Sequence, residues 1–480
     1  MKKIILLFAF LLATSTFLAQ ESPFYATMDA TDAVELQKEL PQEIQIIATK
    51  RNQSAVFITE KAAHTMHRNV VTHGPGYVFK ASEEKAILAI APKPGKTNRS
   101  VLDFTINQDA AVAEALDLVN TQNIEDQILE LQAYGTRYHT KPSAEQAVLD
   151  LKDKWEAMAQ TANRNDVSVR IVNHVNTGMP SAVMTIEGAE NPDEFVIIGG
   201  HIDSTAGNNN DAPGADDDAS GISTITEVAR VLFEADFVPN RTVEFMAFAA
   251  EEIGLVGSAE IAEEYSNNNV NVKAYVQFDM TNFPGSVSDV YITTDSYNSN
   301  DLNAYLIELM EHYNASGAHQ VTYGTTICNY GCSDHFSWAD NGYEAAFPFE
   351  ANFSESNPNI HTSGDTFDVS GNALKAAKFA KLGLEYIIET AKSNNLSVSE
   401  ISNLDFDFIV ANKVLTYNLK NSTDTIKKMN IIDVSGKQVL NATDLGQQGT
   451  ISFESLSQGF YVAVFTTETN KKLTKKFIVN

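Results

Sequence analysis

The sequence predicts an α/β protein. Its mainly parallel sheet is sandwiched by helices, preceded by a small α+β domain and followed by a small all-β sandwich. Three observations carry this reading. Between Phe195 and Phe278, short apolar runs alternate with helical periodicity, the pattern of parallel strands joined by covering helices. Upstream of Asn107 the strand-like runs are short and broken by turn residues. Beyond Asn403 the apolar runs are punctuated by Gly436, Gly446, Gly449 and Gly459, as in small antiparallel modules. At 480 residues the chain is too long for one ordinary domain.

Taken in order, residues 1–20 read as a secretory signal. Met1-Lys2-Lys3 is positive, Ile4 to Leu12 is unbroken apolar, and small or polar residues follow up to Gln20. Residues 21–108 read as a propeptide domain. It has strand-like runs at Ile44–Ala48 and Ala86–Ala91 and turn signals at Gly74-Pro75-Gly76 and Pro92–Gly95.

Residues 109–395 read as the domain that carries the chemistry. Its expected helices are Ala111–Leu118, Ala144–Ala159, Ala219–Phe233, Ser258–Tyr265, Leu302–Tyr313 and Asn372–Ala391. Its expected strands are Phe195–Gly199, Thr242–Ala249 and Lys273–Phe278. Residues 403–480 form the β-sandwich, with strands expected at Ile431–Val434, Thr450–Phe453, Tyr461–Phe465 and Lys472–Val479.

Composition narrows the function. With 34 Lys+Arg against 62 Asp+Glu, the formal charge is −28, which repels nucleic acid and anionic membranes. The tail is not the source, since residues 405–480 hold nine Lys and seven acids. Two Cys cannot build a zinc finger or an iron–sulfur framework. In an exported chain Cys328 and Cys332 are expected to pair. No stretch after the signal is long and apolar enough to span a membrane.

Acids and imidazoles gather just past the predicted strand ends, where ligands bind in open α/β sheets. The segments are His201-Ile-Asp203, Asp216-Asp-Asp218, Glu251-Glu252 and Asp279, with His361 on a later loop. Each alone has a plain reading: a surface His, a helix cap at Asp216–Asp218, a solvated Glu pair. Together they are costly, since two like charges about 4 Å apart repel by about 4 kcal/mol at an effective dielectric of 20. No Lys or Arg lies in these motifs. Two divalent ions would offset the charge, and imidazole with carboxylate suits zinc.

These strings, with Pro213-Gly-Ala-Asp-Asp-Asp-Ala-Ser-Gly221 and Cys328-Asn-Tyr-Gly-Cys-Ser-Asp-His335, resemble the secreted di-zinc aminopeptidases of the bacterial leucyl aminopeptidase type. The resemblance spans roughly Asp109 to Ala391 and implies the zinc exopeptidase fold. It implies that Asp217 bridges two zincs, that His201 and Asp279 complete one site, and that Glu252 and His361 complete the other. Glu251 would be the general base, and Asp203 the carboxylate that orients His201. It also implies a cis peptide between Asp217 and Asp218. Tyr330 would hold the carbonyl oxygen, and Met280, Phe347, Phe349, Phe353 and Ile360, with the two Cys, would line a pocket for the substrate side chain. Ser356 and Phe347 depart from the family pattern, in which an aromatic and a Met are familiar.

The resemblance implies hydrolysis of the N-terminal peptide bond, with bulky hydrophobic residues preferred, by a monomer. A carboxypeptidase or a one-zinc glutaminyl cyclase on the same fold is the near alternative, and a non-catalytic surface binding protein the distant one. Ser333-Asp334-His335 spells triad residues, but sequence neighbours rarely meet in triad geometry. In the tail, Leu456-Ser-Gln-Gly-Phe-Tyr461 and Lys475-Lys-Phe-Ile-Val479 resemble the sorting domain of type nine secretion. That implies passage through the periplasm, engagement of the outer-membrane secretion machinery, and release or surface attachment.

Overall fold

The computed structural model describes residues 23–69, 74–91, 102 and 104–392, and residues 405–479 apart from short segments at 412, 421–423, 434–436, 455 and 469–471. The expected signal and the Pro92–Gly95 turn lie outside the described residues. The chain divides into two compact units, one ending at Lys392 and the other formed mainly by the residues beyond it.

The first unit opens with β1 (Phe24–Asp29), α1 (Ala30–Glu39), β2 (Ile44–Lys50), β3 (Gln53–Ile58), α2 (Glu60–Asn69), β4 (Val78–Lys80) and α3 (Glu83–Ala89). The four strands pair antiparallel in the order β2-β3-β1-β4. The run Ala86–Ala91, expected as a strand, is largely helix α3. Ser82 caps it by accepting the Lys85 amide at 3.2 Å, and Glu83 and Glu84 occupy its first turn. A cap and acids at the positive helix end outweigh the apolar run that follows.

The larger part of this unit holds α4 (Asp109–Leu118), α5 (Thr121–Gln132), α6 (Pro142–Thr161), β5 (Val167–Val172), β6 (Ser181–Ile186), β7 (Asn191–His201), α7 (Ala219–Glu234), β8 (Arg241–Phe248), α8 (Val256–Asn267) and β9 (Asn271–Gln277). It continues with β10 (Val290–Thr293), α9 (Asn300–Tyr313), β11 (Tyr323–Thr326), α10 (His335–Asp340), β12 (Ala345–Ala346), β13 (Pro348–Phe349) and α11 (Leu374–Ala391). A six-stranded sheet runs β12-β9-β7-β8-β6-β5. The first three pairings are parallel and the last two antiparallel. The α/β expectation holds, with an antiparallel edge added. Strand β8, most of β9 and the C-terminal half of β7 are buried, as parallel strands covered on both faces must be. Helices α7 and α11 are buried nearly all round.

A strap from the N-terminal layer lies against the loops at the strand ends. Residues Gly74 to Val78 are all buried, and the Phe79 amide donates to Gly254 O at 3.0 Å. Gly74 and Gly254 permit this contact: a Cβ at Gly74 would stand 2.6 Å from Cys332 O, and one at Gly254 2.6 Å from Phe79 N. Lys85 pairs with Glu263 at 2.8 Å. Between the layer and the Cys328–Cys332 segment lies a cavity of 510 Å³ lined by Met28, Tyr77, Tyr297, Asn329 and Tyr330 among others.

The second unit comprises β14 (Asp405–Ala411), β15 (Val414–Lys420), β16 (Ile426–Asp433), β17 (Gln438–Gly446), β18 (Gln448–Ser452), β19 (Gly459–Thr467) and β20 (Lys472–Val479). They form two antiparallel sheets, β14-β15-β18 and β17-β16-β19-β20. Tyr417, Met429, Ile431, Phe453 and Phe465 from both sheets share one apolar core. Among the described residues no helix is long and apolar enough to cross a membrane.

Candidate metal centre

The parallel register sets the first ligands. β7 lies between β8 and β9, with His201 opposite Phe248 and Gly199 opposite Gln277. His201 therefore ends its strand close to where β9 runs out into Phe278 and Asp279. The segment preceding α7 delivers Asp217 to the same place. His201 Nε2 lies 3.0 Å from Asp217 Oδ1 and 3.5 Å from Asp279 Oδ1. On the other side His361 Nε2 lies 3.1 Å from Asp217 Oδ2 and 3.2 Å from Glu252 Oε2. Two donor groups result, His201–Asp217–Asp279 and Asp217–Glu252–His361. Asp217 belongs to both and offers one oxygen to each.

The residues behind these donors fix their positions. Asp203 Oδ1 lies 3.4 Å from His201 Nδ1 and accepts the Glu251 amide at 3.0 Å, while its Oδ2 accepts the Glu252 amide at 3.2 Å. One carboxylate thus orients an imidazole and pins the turn that carries both glutamates. The peptide Asp217–Asp218 is cis, and Ala250, Met280 and His361 have φ of 57°, 53° and 57°. Left-handed backbone at three non-glycine residues, each at or beside a site residue, is the kind of strain that collects at functional sites.

Asp218 takes the helix-cap role. Its Oδ1 accepts the Gly221 amide at 2.8 Å and the Met280 amide at 3.2 Å, and its Oδ2 the His201 amide at 3.0 Å.

Several supporting residues escaped the sequence reading. Asp365 accepts the amides of Asp216 and Asp217 at 3.2 and 3.1 Å. An acid four residues past His361 on a glycine-containing loop was the available signal. Ser333 donates to Asp279 Oδ2 at 2.5 Å. Glu350 accepts the Phe283 and Asn357 amides at 2.7 and 3.1 Å.

Arg137 is the larger omission. It is wholly buried and donates to the carbonyls of Ile202, Leu131, Pro213 and Gly214 at 2.7 to 3.1 Å. Burial lowers its pKa, against the fields of Asp365, Asp218, Asp203 and Asp217. The motifs themselves hold no cation, but the fold brings one to them from sixty-odd residues upstream, and nothing in Thr136-Arg137-Tyr138 marks it.

The electrostatics still call for more positive charge. Burial alone would lower the His361 pKa, but Glu252 and Asp217 push it up to about 10. His201 rises well above its usual value for the same reason, burial being outweighed by Asp279, Asp203 and Asp217. Burial, with Asp216 and Asp217, raises Asp365 to about 8. An imidazole nitrogen carries at most one proton, yet Nε2 of each of the two imidazoles faces two carboxylates. A buried set of imidazoles and carboxylates converging in this way is the donor set of metal cations, and the residues fit them.

The comparisons with known proteins agree with this geometry. Residues 181–384 match the model of peptidase family M28. Leucine aminopeptidase 1 of Coccidioides posadasii is 32% identical over 278 residues, 55% of this chain and 70% of the relative. Its counterpart in Uncinocarpus reesii is 33% identical over 287 residues, 56% and 70% of the two chains. The chain belongs to peptidase family M28. It is a metallo-aminopeptidase, a hydrolase of peptide bonds.

Among solved structures, LapB of Legionella pneumophila superposes with a TM-score of 0.68 at 28% identity, covering 78% of this chain and 100% of its own. The LapA aminopeptidase of the same organism gives 0.67 at 29% identity, covering 78% and 99%. Residues 411–480 match the secretion system C-terminal sorting domain, so the second unit is a type nine sorting tail.

The expected pocket residues also gather. Met280, Cys328, Cys332, Phe347, Phe349 and Phe353 form one apolar cluster, with Tyr330 and Ile360 packed against it. Cys328 and Cys332 are disulfide-bonded. Met280 follows Asp279 directly, so this cluster begins at the metal centre. Tyr77 of the strap is buried. Burial chiefly, then the negative fields of Glu251 and Glu252 among others, pushes its phenol well above the usual range.

Proposed function

We propose that this protein is a di-zinc aminopeptidase that removes bulky hydrophobic residues from the N-termini of peptides. The observation that carries the reading is Asp217, whose two carboxylate oxygens each face a different imidazole. His201 and Asp279 would hold one zinc, Glu252 and His361 the other, and Asp217 both. The ions, when bound, would supply Lewis acidity toward the scissile carbonyl and a water acidic near neutral pH. Glu251, fully buried and outside both donor groups, takes the proton from the attacking water and delivers it to the leaving amine. Asp203 keeps Glu251 in reach through its backbone amide. Tyr330 steadies the carbonyl oxygen. The apolar cluster of Met280, Phe347, Phe349, Phe353 and Ile360 receives the N-terminal side chain.

Residues 21–108 are proposed as a propeptide domain. Its strap, with Tyr77 buried among the groups near Glu251 and Glu252, supports a covering role. Residues 109–395 are proposed as the catalytic domain and 403–480 as the sorting domain. The enzyme is read as a monomer, released or held at the cell surface after crossing the periplasm.

Elemental analysis with a panel of aminoacyl substrates tests the reading. Two equivalents of zinc and fastest cleavage of Leu, Phe or Met substrates are expected. Full activity at one equivalent would overturn the two-zinc reading.

A further inference from the structure

Where β8 ends, the chain leaves the sheet to form the turn that carries Glu251. Three carbonyls of the turn are held by the start of the following segment. Gly257 N donates to Ala249 O at 3.0 Å, Val256 N to Ala250 O at 3.1 Å, and Gly254 N to Glu251 O at 2.8 Å. Asp203 holds the amides of Glu251 and Glu252. A further anchor is a side chain. Ser181, the first residue of β6, accepts the Ala249 amide on Oγ at 2.9 Å, just where the ladder between β6 and β8 has run out.

Ser181 is itself fixed. His174 Nε2 lies 2.7 Å from its Oγ, and His174 Nδ1 lies 3.2 Å from Glu260 Oε2 on α8. The donors and acceptors close in one arrangement. Ser181 O–H donates to Nε2, and Nδ1–H donates to Glu260. This is a neutral imidazole, in keeping with a pKa lowered by burial. Glu260 is held in turn by the Val175 and Asn176 amides at 2.9 and 3.0 Å and by Asn176 Nδ2 at 2.6 Å.

The sequence Ser–His–Glu has the form of a hydrolase triad, but its serine is no nucleophile. Ser181 is wholly buried, the His174 side chain has no exposed surface, and the hydroxyl is spent on a backbone amide. We infer that Ser181, backed by His174 and Glu260, is a positioning device for the general base. It sets where the chain leaves the sheet, two residues before Glu251, and so sets how Glu251 is aimed at the reacting water. The inference rests on Glu251 being the base.

The test uses Ser181→Ala, Ser181→Thr and His174→Phe in the full mature enzyme, with Glu251→Ala alongside. Ser181→Ala should lower kcat roughly tenfold, since small misplacements of a catalytic group are costly. KM should stay within about twofold and the metal content should be unchanged. Amide hydrogen exchange across 249–257 should quicken. Ser181→Thr, which keeps the hydroxyl, should restore most of kcat. His174→Phe should fall in the same direction by less, and it decides the matter if Ser181→Ala does not accumulate. A normal kcat in Ser181→Ala overturns the inference even if exchange quickens, because the role is then only structural. Loss of metal in step with kcat overturns it too. Near-normal turnover in Glu251→Ala would instead remove the base assignment. An inactive Glu251→Ala beside a fully active Ser181→Ala removes the positioning role alone.

Discussion

The two halves of the proposed metal centre share Asp217 and differ in what holds the other donors. His201 ends β7 and Asp279 follows the paired strand β9 by two residues, and both are fully buried. Each has a side chain behind it, Asp203 for His201 and Ser333 for Asp279. Glu252 and His361 come from a turn and a loop, and the His361 side chain keeps 10% exposure. Glu252 is steadied through its amide by Asp203. Sheet register leaves a donor little freedom, whereas a loop donor can yield with its hydrogen bonds. The half built on His201 and Asp279 should therefore bind its ion more tightly, and the half built on Glu252 and His361 should exchange more readily.

The largest effect should come from a residue in neither half. Glu251→Ala should lose about 10²–10⁴-fold in kcat while both equivalents of metal remain, measured by turnover and elemental analysis on one preparation. Loss of an ion there would make Glu251 a donor and undo the division into two halves.

The comparison itself is tested by removing one donor from each side. Asp279→Ala and Glu252→Ala should each retain one equivalent. Under graded chelator, the ion left in Glu252→Ala should persist to higher chelator than the one left in Asp279→Ala. Equal release would mean that strand and loop donors bind alike. Asp203→Ala should weaken metal binding about 10–100-fold, mostly at the tighter half, and should also depress kcat through the Glu251 turn.

A last effect concerns pH and sharpens the account of Asp217. Asp365, which holds the amides of Asp216 and Asp217, has its pKa raised to about 8, against about 3.9 in an unfolded chain. Across that window the folded state keeps a proton that the unfolded state has lost. This group's stabilisation is therefore complete below about pH 4 and is lost as pH rises toward 8. In metal-free protein, Asp365→Asn should flatten the fall of Tm between pH 4 and 8, measured by thermal melts across that range. An unchanged slope would show that other buried acids set it.

The strand ends and their donors were legible because the chemistry lies in contiguous strings. His201-Ile-Asp203 and Glu251-Glu252 each follow an apolar run whose end can be counted. What stayed hidden acts across the fold. Arg137 reaches the site only through the fold, with no motif of its own. Ser333 stands in the Cys328–His335 string, but its partner Asp279 comes from another strand end, and Asp365 works through amides of residues far away in sequence. Helix α3 was misread because its apolar run fits either period, and the deciding residues, Ser82 and two glutamates, precede it. The antiparallel edge strands β5 and β6 were missed because the alternating pattern begins only at β7. Ser181 looked like an ordinary strand residue, since its partners His174 and Ala249 come from other segments.

A guanidinium keeps its proton at every pH a cell meets. The positive charge that Arg137 brings to the acid cluster is therefore present as soon as its segment closes over the Ile202 and Gly214 carbonyls. It offsets part of the repulsion among the acids before any ion arrives, though not all of it. In small zinc modules, by contrast, metal uptake and folding are a single event. If Arg137 serves in this way, metal-free protein should still fold, with bound ions adding stability to an architecture already formed.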